Sequence, residues 1–376
     1  MSDNVNLLKE GFKKKRQFIF LSVFFLSLFG LLMVYSASGV YAFRLYNDAL
    51  YFFKRQLLFF CGSLVVFFIT LLINVDILRK HNKKIFIFNL LLLVLVLVVG
   101  RRVGGAKRWL EIGSFSFQPS EFLKLSFLLY ACGYFFRKGK RMRDFKEGVL
   151  PFLCVACLVF LLVVLEPDFG TVIFWLIWIL FMFFLVRVKT KHIMFIMIFG
   201  LVASLVLVKA DPYRFRRLLV FLNPWEDPQG SGFQIVQSQI AFGEGGLFGV
   251  GLGEGKQKLF FLPAAHTDFI FSMIAEEFGL IGSLSVLLLY FFIFIVMLRI
   301  SCMIGDEFFR YFCIGLSVMF GLEIVINVGV SCGFFPTKGI ALPFVSYGGT
   351  NLLVHYLLLG VFFNVSRVYE DYPSMR

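Results

Sequence analysis

The residues of this chain that could do chemistry sit where an apolar sequence makes them costly. In LPAAHTDFIFSMIAEEF, residues 262–278, Asp268 heads a run that stays apolar for most of about thirty residues. Desolvating a carboxylate is expensive, so a membrane helix opening on one needs a compensating use. QPSEFLKL sets Glu121 and Lys124 at i, i+3, on one helix face, where they can pair. LEPDFGT sets Glu166 and Asp168 at the end of an apolar run. Glu276 and Glu277 lie two turns beyond Asp268, and Glu323 falls inside another apolar run. One well-placed carboxylate can serve as a general base. Arg, Lys or a carboxylate-held divalent ion can steady anionic oxygens. Plainer uses stand beside these. Thr267 and Asp268 are good helix caps, Glu121 and Lys124 could lock helices together, and Glu276, Glu277 and Glu323 suit interhelical hydrogen bonds.

The elements that must position these groups follow from composition. Of the 376 residues 59% are hydrophobic and 16% charged, with mean hydropathy +0.86, which excludes a lone soluble core. The pattern predicts an all-α, polytopic membrane protein, a single domain over 1–376. Apolar runs of spanning length fall near 18–36, 53–73, 85–100, 118–136, 149–166, 171–187, 193–209, 268–298, 311–331 and 350–366. About ten helices put both termini on one side. Lys13 to Arg16 precede the first run, Arg79, Lys80, Lys83 and Lys84 follow the second, RKGKRMRDFK follows the fourth, and Arg187, Lys189 and Lys191 follow the sixth. These alternate as the positive-inside rule requires, so both termini are expected in the cytoplasm. Residues 1–17 then form a cytoplasmic tail, and 210–267 a large extracytoplasmic loop between helices 7 and 8. The first run is longer than a signal-peptide core and reads as a retained helix. The net charge of +14 belongs to that rule, not to nucleic acid. Cys154-Val-Ala-Cys157 lies in an apolar run and reads as helix packing, and the four histidines form no metal motif.

Two loops on the outer face break the charge rule. RRVGGAKRWLEIGSFSF carries Arg101, Arg102, Lys107 and Arg108, and the long loop carries Arg214, Arg216, Arg217, Lys256 and Lys258. Either these cations pair with outer Asp, Glu and headgroups, or they mark a site for an anionic ligand. Glycines recur at 243, 245, 246, 249, 251, 253 and 255. No strand precedes them, so a dinucleotide fold is not indicated. They let irregular backbone lie close to a membrane surface or a ligand. A loop this long without a domain of its own is expected to be functional.

GAKRWLEIGSFSFQPSEFLKL, LEPDFGT, FLNPWEDPQGSGFQ, LPAAHTDFIFSMIAEEFGLIG and GIALPFVSYGGT resemble, in order and over nearly the whole chain, the SEDS family of bacterial wall synthesis (FtsW, RodA and SpoVE). EPDFGT and WEDPQGSGFQ look more like the division members than the elongation members. Ala264 stands where the family often has Glu, and Asn351 follows SYGGT where Ser or Ala is usual. The resemblance implies a glycosyltransferase that polymerises lipid II into β-1,4 glycan outside the inner membrane during septal synthesis. It implies a class B penicillin-binding protein as partner, beside other division proteins and membrane lipids. The family's essential aspartate matches Asp268, as catalytic base or as ligand of a divalent cation (Mg or Mn). Substrate contacts are expected from Arg108, Trp109, Glu121, Lys124, Glu166, Asp168, Lys256, Lys258, His266 and Ser346. With pyrophosphate leaving, one displacement inverts the anomeric carbon and no paired nucleophile and acid is needed. No Walker motif is present, so no ATP is expected. A lipid II flippase is the competing class, since carriers also bury charge and break helices. A division scaffold is a third.

Overall fold

Each of the ten apolar runs is helical in the computed structural model, which describes residues 2–103, 106–113, 115–210, 212–259, 261–337 and 339–370. They become α1 (Ser2–Tyr46), α2 (Tyr51–Leu72), α3 (Val75–Val99), α4 (Pro119–Lys138), α5 (Leu150–Leu165), α6 (Phe169–Leu185), α7 (Thr190–Ala210), α10 (Ile270–Met303), α11 (Glu307–Ser331) and α12 (Gly349–Glu370). Two more helices, α8 (Pro212–Leu222) and α9 (Phe233–Gly245), lie between α7 and α10. Among the described residues eight helices are long and apolar enough to cross a membrane; α6, at 17 residues, falls short, and α4, with four charges, is not among the eight. The protein is therefore a multi-pass membrane protein. Burial grades from the centre outward: α11 and α12 are mostly enclosed by other helices, whereas α7 is almost wholly on the surface.

Several boundaries differ from expectation. The third helix starts at Val75, ten residues early, because Asn74 caps it by accepting from the Asp76 amide at 2.9 Å. Arg79, Lys80, Lys83 and Lys84 are thus in the first turns of α3 and not in a connector. Arg101–Phe117 is not a bare loop but an antiparallel meander of β1 (Arg101–Val103), β2 (Ala106–Ile112) and β3 (Phe115–Phe117), with Leu110 opposite Phe117. The long loop is likewise part helical, and α9 buries one face against α10. Cys154 and Cys157 are both exposed, on the outer surface of α5, so they do not pack helices together.

Polar contacts tie the helix ends in two layers. At one end Arg79 pairs with Asp306 at 2.9 Å, joining the starts of α3 and α11, and Asn364 of α12 donates to the Thr70 carbonyl of α2 at 2.8 Å. At the other, Thr350 donates to the Ser116 carbonyl at 3.1 Å and Ser346 to the Thr267 carbonyl at 2.6 Å. The second end holds the meander, the long loop and the site.

Candidate active site

Three devices bring the acids of this end together. Pro119 at the first helical position starts α4, which fixes Glu121 and Lys124 one turn in. Asp168 caps α6, accepting from the Thr171 amide at 3.2 Å and its hydroxyl at 2.9 Å. The turn before α10 carries Asp268, whose carbonyl accepts from Asn327 of α11 at 2.9 Å; the same amide reaches the Ile340 carbonyl at 2.7 Å. A Cβ at Gly339 would come within 3.1 Å of Asp268 Oδ2, so that segment lays bare backbone against the carboxylate. The capping role considered for Asp268 does not fit: α10 begins at Ile270, and Phe269 is the cap residue.

These side chains face one cavity of about 270 Å³. Asp268, Asp168, Glu121, Lys124, Arg108 and Trp109 line it, with Gln118, Thr171, Trp175 and Asn351. Lys124 forms the inner wall. Its ammonium lies 2.7 Å from Glu121 Oε2 and 2.6 Å from Glu323 Oε1. Glu121 also accepts from Asn351 Nδ2 at 2.8 Å. Glu323 Oε2 is 2.6 Å from His355 Nε2, and the other ring nitrogen is 2.8 Å from the Asn351 carbonyl. Both ring nitrogens face acceptors, so His355 braces Glu323 on the side away from Lys124. On the far side of this pair a second, smaller cavity is lined mostly by apolar side chains, among them Ile293, Leu316, Phe320 and Phe344.

Five expected contacts are not part of the lining. Glu166 is fully buried behind Arg108, which donates Nε to the Glu166 carbonyl at 2.8 Å and Nη2 to the Pro167 carbonyl. Burial first, and the neighbouring Asp168 second, push the Glu166 carboxyl up to about 8 against the pull of Arg108. His266 is enclosed by Phe52, Tyr347 and Tyr41, with centroids 4.7, 5.6 and 5.9 Å away, and burial lowers it to about 4. Ser346 is buried in the wall, where it accepts from the Leu342 amide at 2.8 Å and clamps the Thr267 carbonyl beside Asp268. Lys258 is buried and paired with Glu277 at 2.9 Å, and also donates to Ser36 of α1 at 3.1 Å. Lys256 gives its backbone amide to Glu276 at 2.6 Å. Proximity in sequence to HTDF does not place either lysine at the cavity.

The outer basic residues also divide. Arg101 pairs with Glu111 at 2.5 Å and Arg216 with Asp227 at 3.3 Å, both in solvent. Lys107 caps the end of α3 through the Leu97 and Val98 carbonyls. The side chains of Arg214 and Arg217 lie outside the described residues. Of this set Arg108 alone is in the cavity lining among the described residues. Sequence reasoning passed over His355, and noted Asn351 only as a departure. The available signal was a histidine four residues after Asn351, inside an apolar helix.

The whole-chain comparisons agree with one another. The family model described as "Cell cycle protein", covering FtsW, RodA and SpoVE, matches residues 16–371. A Trichlorobacter lovleyi protein named "Probable peptidoglycan glycosyltransferase FtsW" is 41% identical over 353 residues, 93% of this chain and 92% of its own. "Stage V sporulation protein E" of Bacillus subtilis is 41% identical over 343 residues, 90% of this chain and 93% of its own. Among solved structures, one described as "Structural coordination of polymerization and crosslinking by a peptidoglycan synthase complex" aligns with TM-score 0.72 and 29% identity, over 90% of this chain and 96% of its own. The rod shape determining protein RodA of Thermus thermophilus aligns at 0.67 and 27%, over 93% and 95%. On this evidence the chain belongs to the FtsW/RodA/SpoVE family.

Proposed function

We propose that this protein is a peptidoglycan glycosyltransferase that polymerises lipid II on the outer side of the bacterial inner membrane, at the division septum, with a class B penicillin-binding protein as partner. The observation that carries the reading is the one-sided cavity. It joins a rim carboxylate, two cations and an aromatic edge at one end of the bundle, and the side chains below Glu323 and His355 are mostly apolar. A flippase would need polar footing continuing toward the other face. The orientation rests on charge: the basic connectors lie at the end of the bundle opposite the cavity, so that end is cytoplasmic.

The chemistry asks for little more. The donor's pyrophosphate leaves readily, and Arg108 and Lys124 are placed to bind it in a low-dielectric setting where such contacts strengthen. Asp268 takes the proton from the acceptor's 4-hydroxyl as that oxygen attacks the anomeric carbon from the opposite face. Trp109 offers an apolar face at the cavity edge for a sugar or the lipid's first isoprene. No three His, Cys, Asp or Glu side chains gather as a metal cage among the described residues. A divalent ion would instead be held by Asp268 together with phosphate oxygens, the usual way Mg²⁺ binds beside a phosphorylated substrate, and would supply charge neutralisation.

The test is purified protein with lipid II, with and without a cognate transpeptidase, read as glycan chain length. Asp268→Asn should fold and insert normally yet lose about 10²–10⁴-fold in polymer formation. Near-normal polymer from the folded variant would remove Asp268 from the mechanism.

A further inference from the structure

The glycine-rich segment after α9 is spliced into α10. In an unbroken helix the amides of Leu280 and Ile281 would donate to the carbonyls of Glu276 and Glu277. Instead Leu280 N donates to Gly246 O at 2.9 Å and Ile281 N to Leu247 O at 3.2 Å. The freed Glu276 and Glu277 carbonyls accept from Val250 N at 3.0 Å and Gly251 N at 3.1 Å. Gly279, at φ +66°, opens the helix for this exchange, and a Cβ there would lie 2.3 Å from Gly249 N. A Cβ on Gly249 or Gly245 would strike α10 carbonyls at 2.2 and 2.0 Å. Four main-chain groups of the loop, the carbonyls of Gly246 and Leu247 and the amides of Val250 and Gly251, are thus satisfied by α10 and not by water, which lowers the cost of seating this backbone in a bilayer.

The depth of the splice follows from α10 itself. Leu280 to Leu298 carries no charge and is bounded by Glu277 and Arg299. That stretch is about 28 Å long, close to the roughly 30 Å of a hydrocarbon core. The loop therefore joins α10 at the core's boundary, on the Asp268 side. Its tip is apolar and bare. Phe248 is 80% exposed and Leu247 60%, and both continue the exposed flank of Leu280, Ile281, Leu284 and Leu288 on α10. In water such a tip would be an unexplained apolar patch; continuity with a lipid-facing flank names its occupant.

We propose that Gly246–Leu252 is seated in the membrane, with Leu247 and Phe248 inserted among the acyl chains of the leaflet on the Asp268 side. The segment belongs to the same long loop that leads to the turn bearing Asp268. The inference does not depend on the activity proposed above.

Cysteines placed singly at Phe248 and Gln229, in the full-length protein lacking its native cysteines, would carry nitroxide labels in phosphatidylcholine/phosphatidylglycerol nanodiscs. Both positions are exposed, so neither change threatens folding. At F248C collisions with oxygen should exceed those with a water-soluble nickel chelate several-fold, and at Q229C the order should reverse. Chelate collisions at F248C equal to those at Q229C would overturn the proposal. Exclusion of both reagents at F248C would also overturn it, because protein and not lipid would then cover the tip.

Discussion

Two buried lysines meet glutamates in this molecule, and they do different things. Lys124 is shared by Glu121 and Glu323, is braced through Asn351 and His355, and borders the cavity. Lys258 is held by Glu277 and Ser36 in a closed spot where the long loop meets α1 and α10. The first arrangement spreads one cation over two acids and leaves a side open to a ligand. The second is a one-to-one pair with nothing left to offer. A buried pair with one cation and one acid is a staple, whereas an oversubscribed cation beside empty volume is a site.

The sharpest break would come from activity. Lys124→Met should cut lipid II polymerisation about 10²-fold or more, as expected when a preorganised charge is removed from a reacting centre. Lys258→Met should lower melting temperature while turnover per folded molecule stays near wild type. If Lys258→Met instead abolished polymer without loss of stability, the two lysines would have to exchange roles.

Stability sharpens the same contrast. Removing one member of the Lys258–Glu277 pair strands a buried charge, at about 3–5 kcal/mol, so Glu277→Gln with Lys258→Met should cost far less than the sum of the two. Glu121→Gln leaves Lys124 still paired with Glu323, so its cost should be smaller, about 1–3 kcal/mol. Strict additivity in the Lys258–Glu277 cycle, measured by denaturation in detergent, would argue that the pair is not coupled.

The same contrast shows what was readable from sequence. The helical nature of the ten apolar runs, the cavity acids and Arg108 were legible because apolar run length, Pro119 and the i, i+3 spacing of Glu121 and Lys124 are local signals. Lys256 and Lys258 misled because their partners, Glu276, Glu277 and Ser36, are fixed by a helix break at Gly279 that no run of residues announces. Ser346 and His266 lie next to the right carboxylate in sequence but point into its supporting wall. His355 showed only as a histidine inside an apolar run, because tertiary packing alone sets α12 against Glu323 of α11.

The smallest expected effect concerns a third buried acid that has neither arrangement. Among the described residues no cation hydrogen-bonds the Glu166 carboxylate: Arg108 gives its Nε and Nη2 hydrogen bonds to the main-chain carbonyls of Glu166 and Pro167. With burial raising it from 4.5 to about 8, the folded protein holds a proton there that the unfolded chain releases. The folded state thus binds the extra proton between about pH 4.5 and about pH 8. The associated stability is complete below that window and fades as pH rises through it. Melting temperature should fall by a few degrees from about pH 6 to about pH 9 in wild type, and less in Glu166→Gln, whose amide keeps the neutral shape at every pH. An unchanged pH slope in Glu166→Gln would mean that Glu166 is ionised in the fold. Arg108 would then be answering a carboxylate, and the cavity would have one fewer cation for its ligand.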